Sequence, residues 1–326
     1  MIYICFSTDR LSKFGSFPLG EVITFVDCDH ASNLAVAESG ALYTWGSNNF
    51  SQLGTGPTSQ PSAPNPVRVA TPSAVGTAAM GGTYAAAICR DGTLLTWGYG
   101  GHGNLGHGNR KSCKVPKVVK ALRERGVKAV QVSCTRGQEG MKGGVNPKTS
   151  GGEGPHTNVV SSDGRLFTFG TAHKGLLLNL SSKTGAFGEG YDELLPYEVG
   201  GDPVRNAQVP PFNPHAMPHP YNSAGLYKAA ASGHIHSGAV TAKGEAYAWG
   251  CGSNDGRCGV ERFLNMSGEG KPPRVDAMKC YMMAPHRVGV AREAYWPHRG
   301  SLPAEGGEVV FFAVGRNTSG IIVSGG

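Results

Sequence analysis

The stretch Gly40-Ala41-Leu42-Tyr43-Thr44-Trp45-Gly46 decides how the chain is read, because it comes back three times. It returns as Gly92-Thr93-Leu94-Leu95-Thr96-Trp97-Gly98, as Gly164-Arg165-Leu166-Phe167-Thr168-Phe169-Gly170 and as Gly244-Glu245-Ala246-Tyr247-Ala248-Trp249-Gly250. Each copy opens on a turn glycine and alternates large side chains, a period of two that predicts a β-strand. The closing glycine marks a bend too tight for a side chain. Tyr43, Trp45, Gly46, Trp97, Gly98, Phe169, Gly170, Trp249 and Gly250 are therefore expected to be the structural positions of a repeat.

Two further motifs travel with this strand. After it come Ser51-Gln52-Leu53-Gly54-Thr55-Gly56, Gly103-Asn104-Leu105-Gly106-His107-Gly108, Gly185-Ala186-Phe187-Gly188-Glu189-Gly190 and the weaker Gly256-Arg257-Cys258-Gly259. A stretch with proline and valine is next, as in Pro116-Lys117-Val118-Val119 and Pro196-Tyr197-Glu198-Val199. Proline donates nothing to a ladder, so it predicts an edge position or a strand start. Before the strand come residues 79–88, 231–240 and 313–322, with 26–35 as a decayed copy. In the remaining copy Val132-Ser133-Cys134 stands apart from His156-Thr157-Asn158-Val159-Val160, so the stretch at about 137–155 must loop out of the sheet.

Recurring in register, these motifs resemble the repeats of the regulator of chromosome condensation family over most of the chain. The resemblance implies an all-β fold, a β-propeller of four-stranded blades, as a single domain over residues 1–326. Ile2-Tyr3-Ile4-Cys5-Phe6, followed by Phe14-Gly15, reads as a fifth, degenerate strand copy. With Tyr3, Tyr43, Leu95, Phe167 and Tyr247 equivalent, the steps are 40, 52, 72 and 80 residues, so the later blades carry insertions. Five copies fall short of the family's usual complement. A five-bladed ring, an open one and a chain lacking part of the ring all remain open readings. If the ring closes, strands from both ends complete one blade.

The insertions are expected at about 137–155, 200–227 and 261–307. The second holds Pro203, Pro210, Pro211, Pro214, Pro218 and Pro220, and the third holds Tyr281, Met282, Met283, Tyr295 and Trp296. In repeat proteins insertions map to loops on one face, often the binding face. Tyr295 with Trp296 is a candidate anchor for another protein, against the alternative that these aromatics fold back over the propeller.

Composition bounds the function classes. Fifty glycines and 21 prolines in 326 residues without a Gly-X-Y period exclude collagen, and 39% hydrophobic residues spread along the chain argue against disorder. Eight cysteines without a CxxC pair exclude a zinc ribbon or a small disulfide scaffold and favour a reducing compartment. No apolar run reaches the ~18 residues of a membrane span. The net charge of +7 favours an acidic partner. Its densest run holds Arg110, Lys111, Lys114, Lys117, Lys120, Arg123, Arg125 and Lys128. It reads as a solvated basic face, with Lys114, Lys117 and Lys120 as candidate partner contacts and RNA as a further option, although no aromatics interleave for base stacking.

Catalytic chemistry does not emerge from the motifs. His215 and His219 share a face only in a helix, which the neighbouring prolines forbid. His234 and His236 belong to the repeat and read as turn-stabilising residues. There is no GxxxxGK[ST] and no Gly-x-Ser-x-Gly elbow with plausible partners, so no catalytic residue, cofactor or metal is assigned. The family resemblance brings two activities to weigh. Exchange of guanine nucleotide on a small GTPase uses a loop set and a basic tail that do not map onto this sequence. Light sensing, as in plant photoreceptors of similar fold, uses a tryptophan where this chain has Gly82, His234 and Arg316. The expectation is a non-enzymatic interaction propeller, a structural subunit or scaffold of a mitochondrial complex or ribosome, or of a ciliary axoneme. Exchange-factor activity is the alternative.

Overall fold

A computed structural model describes residues 3–6, 10–13, 21–29, 31–57, 60–135, 155–171, 192–199, 226–234, 236–244, 246–251, 281–287, 309–314 and 319–323. Four of its sheets are four-stranded antiparallel blades. The first holds β3 (Ile23–Asp29), β4 (Ser32–Ala37), β5 (Leu42–Ser47) and β6 (Ser62–Val69), preceded by the hairpin β1 (Tyr3–Phe6) and β2 (Arg10–Lys13). The second holds β7 (Val75–Met80), β8 (Tyr84–Cys89), β9 (Leu94–Gly98) and β10 (Cys113–Val118). A short helix α1 (Lys120–Glu124) leads to the third, β11 (Ala129–Cys134), β12 (His156–Ser161), β13 (Leu166–Gly170) and β14 (Glu193–Glu198). The fourth holds β15 (Tyr227–Ser232), β16 (His236–Thr241), β17 (Ala246–Cys251) and β18 (Tyr281–Arg287), and the hairpin β19 (Val309–Val314) with β20 (Ser319–Val323) follows.

Each repeat strand of the sequence is the third strand of its blade, and the proline stretch is the fourth, outermost one. Pro66, Pro116, Pro196 and Pro285 stand one residue before the position opposite Thr44, Thr96, Thr168 and Ala248, so all four outer strands carry a proline at the same register. A missing N–H there blunts each edge against another strand.

Consecutive blades pack through their inner strands. Leu34 and Val36 meet Val75, Ala78 and Met80; Ala86 and Ile88 meet Ala129, Val132 and Cys134; Val160 meets Tyr227 and Ala230. The residues equivalent to Ala78, Val132 and Ala230 are thus buried wherever a preceding blade covers them. Their counterpart on β3, Val26, is 44% exposed, so that face of the first blade lies open.

The latch between blades explains the repeat chemistry. The indole N–H of Trp97 donates to the Gln52 carbonyl of the preceding blade (2.8 Å). A Cβ on Gly54 would sit 2.6 Å from that indole nitrogen, and one on Gly106 would sit 3.0 Å from the Phe169 ring. Glycine therefore lets each loop lie flat on the next blade's aromatic. The hydroxyls of Thr44 and Thr96 donate to the carbonyls of Leu53 and Leu105, both at 2.7 Å, and hold these loops to their own strands. Gly56 N–H and Gly108 N–H then donate to Lys114 and Leu194 carbonyls on the neighbouring outer strands.

Two expectations need correction. The 261–307 segment is not one insertion, because Tyr281, Met282 and Met283 lie in β18, paired with β17. The stretches at about 137–155 and 200–227 lie outside the described residues except at their ends, where Pro155 is buried beside β12 and Tyr227 opens β15. Nor do the insertions leave from one face. In an antiparallel blade the ends of strands one and four point opposite ways, so the segment after β11 and the segment after β14 depart from opposite faces.

Candidate partner-binding surface

The basic run 110–128 is not one continuous face. It descends the outer rim of the second blade along β10, turns through α1 and ends before β11. The helix forms because Leu122 anchors it in the core shared by the second and third blades, which leaves Lys120 and Arg123 in solvent.

Two arginines of the run are spent on the third blade. Arg110 pairs with Asp192, which His102 also approaches at 3.5 Å. Burial would raise the Asp192 carboxyl, but hydrogen bonds from His102 and Arg110 hold it below the usual carboxylate range. Arg125 pairs with Glu198, which Arg165 reaches at 3.4 Å, and both guanidinium groups lie over the Phe167 ring at 5.1 and 5.3 Å. Lys111, Lys114, Lys117 and Lys120 are exposed, and none of their ammonium groups joins an ion pair among the described residues. Val115, half exposed, sits among them.

Sequence reasoning missed Asp192 and the aromatics at the upper end of this rim. Tyr99 packs edge-on to Phe50, ring centroids 6.0 Å apart, and lies 6.0 Å from His102. The loop glycines at 100–103 separate these residues from Arg110 in sequence, and only the fold brings Asp192 to both. Tyr295, Trp296, His215 and His219 lie outside the described residues.

A second polar cluster is buried where the second, third and fourth blades meet. The Tyr84 hydroxyl donates to the His156 carbonyl (2.6 Å) and accepts from Thr135 N–H and the Thr157 hydroxyl, both at 3.0 Å. The His156 ring bridges Thr135 Oγ1 (2.9 Å) and Ser237 Oγ (2.7 Å), and Asn158 Nδ2 donates to Ser232 and Ser237. Tyr84, His156 and His236 are equivalent, each opening the second strand of its blade. Every one of these contacts crosses a blade boundary or ties a turn, so the cluster reads as packing chemistry.

Burial pushes the His156 imidazole down to about 3, with His236 and His234 adding repulsion. Between about 3 and the ordinary 6.5 the unfolded chain binds a proton that the folded chain refuses, so stability rises with pH across that window. His107, lowered to about 4 by burial and Lys117, acts with the same sign. Urea unfolding below pH 6 should show His156 alone contributing a loss of up to about 1.4 kcal/mol per pH unit, and His156→Gln should flatten that slope.

Known proteins match this arrangement. The family model for the regulator of chromosome condensation (RCC1) repeat matches residues 39–88 and 91–137. The chain is 28% identical over 240 residues to the ultraviolet-B receptor UVR8 of Arabidopsis thaliana, covering 74% of this chain and 43% of that protein. It is 32% identical over 103 residues to the RCC1 domain-containing protein RUG3, mitochondrial, also of Arabidopsis thaliana, covering 32% and 23%. Among solved structures, Prp20p from Saccharomyces cerevisiae superposes with a TM-score of 0.63 at 18% identity, over 97% of this chain and 59% of that one. The chain thus spans less than half the length of these two curated relatives.

Proposed function

Since the chain belongs to the β-propellers built from the regulator of chromosome condensation repeat, we propose that it is a non-enzymatic interaction propeller, a structural subunit that docks an acidic protein surface on the rim of its second blade. The observation that carries this reading is the strip Lys111, Lys114, Lys117 and Lys120, without an ion pair among the described residues and exposed beside Val115, while Arg110 and Arg125 are neutralised by the neighbouring blade. The blunted outer strand favours recognition by side chains over strand addition. A mitochondrial setting is supported by the likeness to RUG3, a protein named as mitochondrial.

The reversal Lys114→Glu/Lys117→Glu/Lys120→Glu tests the docking. Co-purifying proteins should be lost from the variant while its thermal unfolding changes little, because exposed charges contribute about 0–1 kcal/mol to stability. Unchanged recovery of partners would remove the rim from the reading. Guanine-nucleotide exchange is the alternative, supported by the likeness to Prp20p, described for its binding to Gsp1p and histones. Release of labelled GDP from a small GTPase by catalytic amounts of this protein would favour it.

A further inference from the structure

The outer strand of the third blade, β14, is held at both ends from outside its own sheet. Asp192, one residue before it, pairs with Arg110, and Glu198, its last residue, pairs with Arg125. Both arginines belong to the basic run of the second blade, and the lysine strip lies between them in sequence. The Leu194 carbonyl of the same strand accepts from Gly108 N–H at 2.8 Å.

The two ends are not equivalent. The Glu198 side chain is 11% exposed, Arg165 stands 3.4 Å from the same carboxylate oxygen as Arg125, and both guanidinium groups lie over the Phe167 ring. Breaking a pair so far out of water strands a charge and is costly. The ladder is regular there too, with Phe167 opposite Glu198 and Thr168 opposite Tyr197. At the other end the Arg110 side chain is 52% exposed, so its pair with Asp192 is of the weak class for which solvent and other ions compete. On that side the ladder slips register before it reaches the pair of Gly170 with Glu193.

We propose that β14 is a strap, hinged at Glu198 and latched at Asp192, and that an acidic partner docking on the lysine strip opens the latch by competing with Asp192 for Arg110. The proposal rests on the reading of the strip as a docking surface and adds its consequence for the neighbouring blade. Arg110 directly precedes Lys111, the first lysine of the strip, so a carboxylate placed there meets a guanidinium that is half in solvent. Linkage makes the coupling reciprocal: Arg110 freed from Asp192 adds a cation to the strip and tightens docking.

The test is amide hydrogen exchange of the full chain, read by mass spectrometry on segments 105–109 and 192–195. The probe is octaglutamate, its binding followed separately by the anisotropy of a fluorescein-labelled form. Arg110→Gln should speed exchange of both segments at least threefold without the probe, because Gly108 N–H loses its acceptor when the strap lifts. Exchange at 197–199 should stay unchanged. Asp192→Asn should have the same effect and tighten octaglutamate binding at least twofold, since Arg110 then joins the strip. Saturating octaglutamate should speed exchange of the same two segments in the wild-type protein and no further in Arg110→Gln. Unchanged exchange in Arg110→Gln, or in the wild-type protein with octaglutamate bound, would overturn the proposal. If octaglutamate does not bind the wild-type protein, the docking reading fails and takes the coupling with it, while the strap stands or falls on Arg110→Gln.

Discussion

Trp97→Ala should lower the unfolding free energy by about 3–5 kcal/mol, the range for emptying a large aromatic site in a packed core. Trp97 is fully buried and lies in the core between the first and second blades with Leu34, Val75 and Ala87. Truncation leaves a cavity under the loop at Gly54 and strips the Gln52 carbonyl of its donor. Because the loop is held by that indole and by Thr44, the loss falls on the junction between two blades rather than on one strand. Trp97→Phe keeps most of the volume and loses the hydrogen bond, so it should cost about 1–2 kcal/mol. Urea denaturation of the pair separates packing from polar latch. Equal costs for both substitutions would mean that the hydrogen bond dominates.

Gly98→Ala should be nearly as damaging, and for a different reason. Gly98 has φ +102°, and a Cβ there would lie 2.6 Å from Tyr84 Cα and 2.8 Å from the Thr83 carbonyl oxygen. These are backbone atoms of the paired strand, so the ladder itself must shift, at a cost above about 3 kcal/mol. Gly126 supplies the control. It also has positive φ, +67°, but nothing lies within 4 Å of a built Cβ, so Gly126→Ala should cost only the left-handed penalty of about 1–2 kcal/mol. If the two variants unfold at the same urea concentration, backbone conformation and not close approach explains the repeat glycine.

How far the fold is legible in the sequence depends on whether a motif's requirements are local. The third strand of each blade was legible because its glycines, its alternating side chains and its Trp or Phe are all local requirements. The outer strands were legible where proline and valine sit together, as at Pro116-Lys117-Val118. β18 was not, because its proline lies between Met282-Met283-Ala284 and His286-Arg287, without a β-branched neighbour to mark a strand. The basic run was visible as composition, but which of its cations remain unpaired depends on Asp192 and Glu198, more than seventy residues away.

We propose that this propeller works as a subunit held by protein partners. Gentle affinity purification of the endogenous protein, followed by sizing and native mass spectrometry, addresses it most directly. A large assembly with this chain in stoichiometric amount is expected, dispersed by raised salt because its contacts are made through exposed lysines. Recovery as a free monomer, or with a substoichiometric small GTPase that releases GDP in its presence, would contradict it.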